Sequence, residues 1–422
     1  MHIITALLGR ATLCHLFVLL LCSKALANES LTLTDALQKS ITYHPTLKRY
    51  PYEARMLDAR LLQASIRPTP RLGVKLENVL GTGESQGVKS ADLTLSLSQV
   101  IELGDKRSLR MALQQKKQQQ STSKYQSDRL SILTDTARKF YQVLYQQQLL
   151  TWHQKRESDI QRLFNVVKTR AKAGAVLKAD ISRVSYRLAE LKLRKIHLQS
   201  ELKAARFSLS QMWLSEPDFE RVLGDTSKLP TIPSDTVWYQ AVNRAPDFVL
   251  LEQQVKIQQA RLAVEQANNV ANITLEGGVK HNAGNNDSGV VLGFSMPLTW
   301  QKPNRGNIAM AQEKVGQLSE EQALLRQSLR NQLASLYAHM QANETIEQTL
   351  QQHLLPQAEQ LLRHSESSYQ NGQISVLQLL EAQESLFDAQ KQLLVVRLAQ
   401  YHTLLTMQRL TGKSLVADAA NE

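Results

Sequence analysis

Cysteine is almost missing from this chain: its 422 residues hold two, Cys14 and Cys22. Both lie in a stretch that reads as a removable export signal. The apolar run Leu13 to Cys22, broken by His15, follows a start carrying Arg10 and ends in Lys24-Ala25-Leu26-Ala27, an A-x-A cleavage pattern before Asn28. A chain cut there has no cysteine, which excludes a disulfide framework and thiolate-held metals. Leu19-Leu20-Leu21-Cys22 leaves a lipidated start as the alternative.

Long apolar runs are missing too. Past the signal no run reaches the roughly 20 residues that a membrane-spanning helix needs, so any membrane entry has to be as strands. Catalytic signatures are absent: there is no nucleophile elbow, phosphate-binding loop or dinucleotide fingerprint. The histidines outside the signal are scattered without an HExxH pair, and Pro356 separates His353 from His364. No enzyme activity, cofactor or resident metal is expected. The formal charge of +12 falls to +10 when Arg10 and Lys24 leave with the signal. An exported chain does not meet nucleic acid, so that balance is assigned to solvated helix faces.

What the sequence does have is a duplication. His44-Pro45 answers Ala245-Pro246, and Arg71-Leu72-Gly73-Val74 answers Asn272-Ile273-Thr274-Leu275, at a separation of 201 residues. Lys106-Arg107 answers Asn304-Arg305, and Gly174 answers Gly372, at 198. One three-residue difference in a loop between strands accounts for both offsets. The expected organisation is a signal at 1–27, a first repeat at 28–214, a linker at 215–234, a second repeat at 235–412 and a tail at 413–422.

Each repeat reads as helix, two strands, very long helix, shorter helix. Leu130, Leu133, Ala137, Phe140 and Leu144 step by three and four, as do Leu379, Ala382, Leu386, Ala389, Leu393 and Val396. No proline interrupts Lys106 to Lys172, enough for a rod of about 100 Å at 1.5 Å per residue. Strands are predicted at about 71–80, 90–101, 271–281 and 289–300. Leu72, Val74 and Leu76 alternate with Arg71, Lys75 and Glu77, and Val290, Leu292, Phe294, Met296 and Leu298 form the fourth apolar row. Each is about ten residues, the length of a tilted membrane strand.

Four strands cannot close a barrel, and an open edge in lipid costs several kcal/mol per unpaired backbone group. Two copies give eight strands, a barrel filled by its own side chains. Three give twelve and an open lumen, so a homotrimer is expected, with apolar rows against outer-membrane lipid and polar rows against water.

Leu33-Thr34-Asp35-Ala36-Leu37, then His44-Pro45 where Asn-Pro is usual, resemble the TolC outer-membrane efflux family over nearly all of the chain. Ser98-Gln99-Val100-Ile101-Glu102-Leu103-Gly104-Asp105-Lys106-Arg107 resembles its heavy-metal, cobalt-zinc-cadmium branch, with Asp105 where that branch more often has a second glycine. The resemblance implies a mainly α fold with membrane β: a trimeric 12-stranded outer-membrane β-barrel continuing into a periplasmic α-helical barrel. It implies two partners, a periplasmic adaptor (membrane fusion) protein and an inner-membrane resistance-nodulation-division transporter. The implied function is the outer-membrane channel of that tripartite pump, exporting heavy-metal cations. Multidrug efflux and type I protein secretion are alternatives on the same fold, and a soluble periplasmic coiled-coil adaptor is the alternative of another class.

Gly174 and Gly372 fall where the family turns between its periplasmic helices, which makes them candidate adaptor-docking turns. Family members close this end with acidic residues shortly after the second turn. Six and nine residues past Gly372 stand Gln378 and Glu381; the same count past Gly174 reaches Asp180 and Arg183. Asp180, Glu381 and Gln378 are therefore the candidate periplasmic gate, set against the plain alternative of solvated surface groups.

Overall fold

A computed structural model describes residues 30–83, 86–225, 235–298 and 303–413. The expected signal, part of the expected 215–234 linker, residues 299–302 and most of the tail lie outside them. The fourth strand, expected at 289–300, ends at Ser295, so Met296 and Leu298 are not part of it. By backbone proximity the chain forms two compact units, each drawing on both halves of the sequence. Of the described residues, the first contains those within 30–48, 128–242 and 330–413, the second those within 49–127 and 243–329.

The first unit is helical. It opens with a short strand, β1 (Ser30–Thr32), that runs into α1 (Leu33–Tyr43). Thr32 caps α1 reciprocally: Asp35 N–H donates to Thr32 Oγ1 at 3.2 Å and Thr32 N–H to the Asp35 carboxylate at 3.3 Å. The next helix, α2 (Pro45–Lys48), has proline at its first position, where no N–H is missed. His44 stands in for the usual asparagine, its Nδ1 accepting from Thr46 N–H at 3.2 Å.

The second unit begins with α3 (Tyr50–Ser65) and holds an antiparallel hairpin, β2 (Arg71–Glu77) and β3 (Asp92–Ile101). Helix α4 (Lys106–Lys172) follows and runs on into the first unit. It contains neither glycine nor proline. Behind it come α5 (Lys178–Ser210) and β4 (Arg221–Leu223), which pairs in parallel with β1. Gln147 holds β4, its Oε1 accepting from Val222 N–H at 2.8 Å and its Nε2 donating to Val222 O at 3.1 Å. This pair lay below the reach of the sequence pattern, because three residues are too few to show alternation.

The second half continues with α6 (Asp235–Ala241) and α7 (Pro246–Ala267). Its hairpin is β5 (Ile273–Asn282) and β6 (Asp287–Ser295), and its long helix is α8 (Arg305–Thr349). That helix does not continue as α. A π segment, Leu350–Leu354, joins it to α9 (Leu355–Gln370), and α10 (Val376–Thr411) ends the described chain. Pro356 gives the reason: it has no N–H for the carbonyl four residues back, and its ring would press on that carbonyl. Widening the turn, with Leu355 N–H bonded to Leu350 O, makes the room.

Most of the helical seam positions are buried, while Leu130, Leu386 and Val396 are half-buried. Leu133, Ala137, Phe140 and Leu144 are all under 9% exposed, as are Leu379, Ala382, Ala389 and Leu393. The four long strands form one sheet in the order β2-β3-β5-β6, so β2 and β6 are its open edges. Strand β2 is seven residues rather than ten: Asn78 and Leu80 take left-handed backbone, which ends the pairing.

Candidate functional site

Two features qualify as functional surfaces: the turns between long helices in the first unit, and the sheet in the second.

The two turns have one construction. Helix α4 ends before Gly174, whose φ of 74° is left-handed; α9 ends before Gly372, at 71°. Glycine takes that conformation without a Cβ penalty. Gly174 N–H donates to Ala171 O at 3.1 Å and Ala175 N–H to Arg170 O at 2.9 Å. Gly372 N–H donates to Tyr369 O at 3.1 Å and Gln373 N–H to Ser368 O at 2.8 Å. These paired bonds close the last helical turn and satisfy carbonyls that would otherwise be orphaned. A Cβ on either glycine would meet nothing within 4 Å, so both turns are open on their outer side.

The candidate gate residues lie just beyond. Asp180 and Gln378 are the third residues of α5 and α10 and turn back on the residue before each helix. Leu177 N–H donates to Asp180 Oδ2 at 3.3 Å, and Ser375 N–H to Gln378 Oε1 at 2.9 Å. Ser375 Oγ completes the second box by accepting from Gln378 N–H at 3.4 Å. Leu177 has no hydroxyl, so the first box is half made. Glu381 is exposed one turn further along α10. Gln378 and Glu381 therefore share a helix end as the spacing expects, while no bond or ion pair among the described residues joins Asp180 to Glu381.

What ties the two turns together was not visible as a motif. Arg170 reaches from the first to the second: its guanidinium donates to Tyr369 O at 2.9 Å and Gln370 O at 3.0 Å and lies 4.8 Å over the Tyr369 ring. One cation thus caps another helix's C-terminus and stacks on its last buried aromatic. Burial, aided by Asp180, pushes the Tyr369 phenol above its usual value. Behind this lock, Ile160, Val167, Val184, Leu188, Val376 and Leu379 form a common core. Deeper still, Glu384 of α10 is bound by both Arg156 of α4 and Arg187 of α5. Burial and the neighbouring Arg187 lower Arg156 to about 10.

The sheet is inverted relative to a water-soluble one. Its apolar rows face out: Leu72 is 72% exposed, Val290 77% and Leu292 85%. On the opposite face Thr94 and Ser96 are buried. The register brings the apolar residues side by side across all four strands, Val74 against Leu95, Leu95 against Val279, and Val279 against Val290. Asp92, also buried, ties the ends of three strands: it accepts from Lys280 Nζ at 2.9 Å, Asn78 Nδ2 at 2.7 Å and Asn282 Nδ2 at 2.8 Å. A contiguous apolar face of this size marks a surface that meets something other than water. Among the described residues no helix is long and apolar enough to cross a membrane.

The joint between sheet and helix explains the Gly104-Asp105-Lys106-Arg107 segment. Gly104 and Asp105 are both left-handed, with φ of 74° and 55°. Lys106 is buried and donates to Val270 O and Asn272 Oδ1; Arg107 Nε donates to Ser65 O at 2.6 Å. Aspartate is one of the few residues besides glycine that enters left-handed backbone readily. Asp105 is thus a departure from a second glycine that this geometry accepts.

A family model for outer membrane efflux proteins matches residues 38–213 and again residues 237–413. The chain belongs to the outer membrane efflux protein family. It is 24% identical over 384 residues, 91% of this chain and 90% of the other, to the cobalt-zinc-cadmium resistance protein CzcC of Cupriavidus metallidurans. Its fold matches the crystal structure of CusC with a TM-score of 0.74 at 14% identity, covering 90% of this chain and 92% of that one. It also matches the outer membrane protein VceC of Vibrio cholerae, with a TM-score of 0.71 at 15% identity, covering 90% and 96%. Membership makes the chain an outer-membrane efflux channel, a transport protein that reaches into the periplasm.

Proposed function

We propose that three copies of this chain pool their sheets into a 12-stranded barrel in the outer membrane and their helices into a periplasmic α-helical barrel. The observation that carries this reading is the inverted sheet with two open edges. Strands β2 and β6 each leave a row of backbone groups unpaired in one chain, and lipid offers them no partner. Pairing β6 of one copy with β2 of the next removes every edge. The duplication supports a division into two repeats, 28–214 and 235–412 around the linker 215–234, because the family model matches twice and each match holds one hairpin and one glycine turn.

The channel serves a tripartite pump. A periplasmic adaptor (membrane fusion) protein docks at the turns around Gly174 and Gly372, and an inner-membrane resistance-nodulation-division transporter drives export. Heavy-metal cations are the proposed cargo. The similarity to CzcC over nine-tenths of both chains supports this, as does the glycine-aspartate-lysine-arginine joint. Asp180 and Glu381, with Gln378 beside them, form the gate: three symmetry-related copies of each carboxylate would ring the mouth and draw cations toward it.

Growth of a clean deletion strain on zinc, cadmium, cobalt, copper and silver, beside dyes and antibiotics, tests the reading. Complementation uses the intact gene and a version lacking residues 71–101 and 271–300. Selective metal sensitivity rescued only by the intact gene is expected. Sensitivity to organic compounds alone would remove the metal cargo and leave the channel. Full rescue without the hairpins would sink the channel itself.

A further inference from the structure

The two turns share a backbone but not a charge. Lys168 stands six residues before Gly174, and Glu366 six before Gly372; Arg183 stands nine after the first glycine, and Glu381 nine after the second. Both equivalent pairs are reversed in sign, and all four side chains are exposed. Lys172 and Lys178 add two exposed cations to the first turn, where the second has neutral Gln370 and buried Val376. No ion pair among the described residues engages any of these six charges. Neighbouring charges are neutralised locally instead: Arg162 pairs with Asp159, and Arg363 with Glu359 at 3.7 Å. Arg170 and Asp180 at the first turn bond backbone groups rather than opposite charges, and their charges cancel; the rest stand at +4 on the first turn (Lys168, Lys172, Lys178, Arg183) and −2 on the second (Glu366, Glu381).

Each turn also offers an apolar centre inside its charged rim. Around Gly174 these are Ala173, Ala175 and Leu177, all exposed; around Gly372 it is Leu377. A small apolar centre with a charged rim has the anatomy of a protein-docking patch. Small residues at a turn also let a partner helix approach the backbone closely.

We infer that the turns are two distinct docking sites, the first selecting an acidic helical segment of the partner protein and the second a basic one. This rests on the channel reading above, in which a helical partner meets these turns, and it adds how the partner's helices are told apart. Rim charges of this kind fix register and exclude wrong pairings more than they add affinity. A lysine facing a lysine at the wrong turn is repelled, so a partner offset by one turn is rejected. Glu381 serves here and at the gate, because a carboxylate lining the mouth also sets the potential that an approaching helix meets within a Debye length of about 10 Å.

The test uses the full-length chain purified in detergent, with a single introduced cysteine at Ala175→Cys or Gln373→Cys, equivalent exposed positions of the two turns. The probes are two synthetic helical hairpins with the same apolar seam, one glutamate-faced and one lysine-faced. Each carries an activated disulfide at its tip. Labelling is read by peptide mass at the introduced cysteine, as the ratio of the two probes' rates, which cancels differences in intrinsic thiol reactivity. The ratio of acidic to basic probe is expected to be about tenfold or more higher at position 175 than at 373, as two or more exposed ion pairs supply. It should collapse in high salt. Exchanging the signs together (K168E, R183E, E366K and E381K) leaves net charge unchanged and is expected to invert the preference. Equal ratios at the two turns, or ratios unmoved by the exchange, overturn the inference. Trimer cross-linking and single-channel conductance of the same preparation test the channel reading separately: their failure sinks that reading, while the labelling ratio alone decides the inference.

Discussion

Asp180 and Gln378 hold the same position in two different helices. Each lies six residues past a left-handed glycine and bonds back, at 3.3 and 2.9 Å, to the backbone N–H of the residue preceding its helix. Glutamine in place of a second carboxylate therefore costs the turn nothing in hydrogen bonding, since its amide oxygen accepts as the carboxylate does. What it gives up is charge. The gate reading accordingly rests on Asp180 and Glu381, and Gln378 shapes the turn that presents them.

The two caps can be separated from the gate by substitution. Asp180→Ala removes the side-chain acceptor of Leu177 N–H at the start of α5 and should cost about 1 kcal/mol locally, near fivefold faster amide exchange at Leu177 to Asp180. Gln378→Glu keeps its bond, adds favourable charge at a helix N-terminus and should slow exchange at Ser375 by a smaller factor. If Asp180→Ala left exchange at the turn unchanged, the cap would not be functioning as its geometry indicates.

Much of this was legible in the sequence, and the residues show why. Heptad steps of leucine and alanine mark a buried seam, and the lack of proline from about Lys106 to Lys172 gave the length of the rod. Alternation over seven or more residues marks a strand, which found all four members of the sheet. The pair β1–β4 escaped because it is three residues long, and because Gln147, which holds Val222 of β4, reaches it from a helix 75 residues away. The π segment escaped because Pro356 announces an interruption without stating its form. Arg170 and Arg187 escaped for another reason: their partners, Tyr369 and Glu384, are nearly 200 residues away, and only the fold brings them near.

Left-handed backbone at the sheet-to-helix joint makes a contrasting pair of expectations. Asp105→Gly should be neutral or stabilising by up to about 1 kcal/mol, because glycine carries no Cβ penalty there. Asp105→Val should destabilise by about 1–3 kcal/mol, since a β-branched side chain tolerates that φ poorly. Gly104→Ala should be at least as damaging: its Cβ would lie 2.9 Å from Val270 Cβ and Cγ2, at a φ of 74°. Thermal unfolding of the detergent-solubilised protein orders the three, and a valine variant as stable as the parent would contradict the joint.

Three histidines in the helical unit make its stability fall with acid. Burial lowers His153, with Arg156 and Arg194 pushing the same way and the Leu191 carbonyl and Glu157 opposing. Burial and Arg138 lower His402; burial lowers His44 against the pull of Asp135. Groups depressed in the folded state bind fewer protons than the unfolded chain between the two values. Their contribution is therefore intact above the ordinary histidine pKa of about 6.5 and is lost as pH falls through the lowered folded values. The melting temperature is expected to drop as the pH falls below that point. His153→Gln, which can still donate to Leu191 O, should flatten the dependence; an unchanged slope would place the acid sensitivity elsewhere.

The two faces of β6 offer the sharpest test of which one meets lipid. Leu292 lies on the apolar face and is 85% exposed, with Gly277 as its cross-strand neighbour. Ser295 lies on the opposite, polar face beside Thr274. Arginine on the lipid face near the bilayer midplane costs about 2–4 kcal/mol, whereas lumen positions accept it. Leu292→Arg should therefore reduce detergent-resistant trimer in the outer-membrane fraction several-fold, and Ser295→Arg should leave its amount close to that of the parent. A soluble sandwich would show no such difference, because Leu292 and Ser295 are both exposed and would both accept arginine in water. Equal tolerance of the two substitutions would mean that neither face is in lipid. The opposite order would require the barrel to be built with its apolar rows inside.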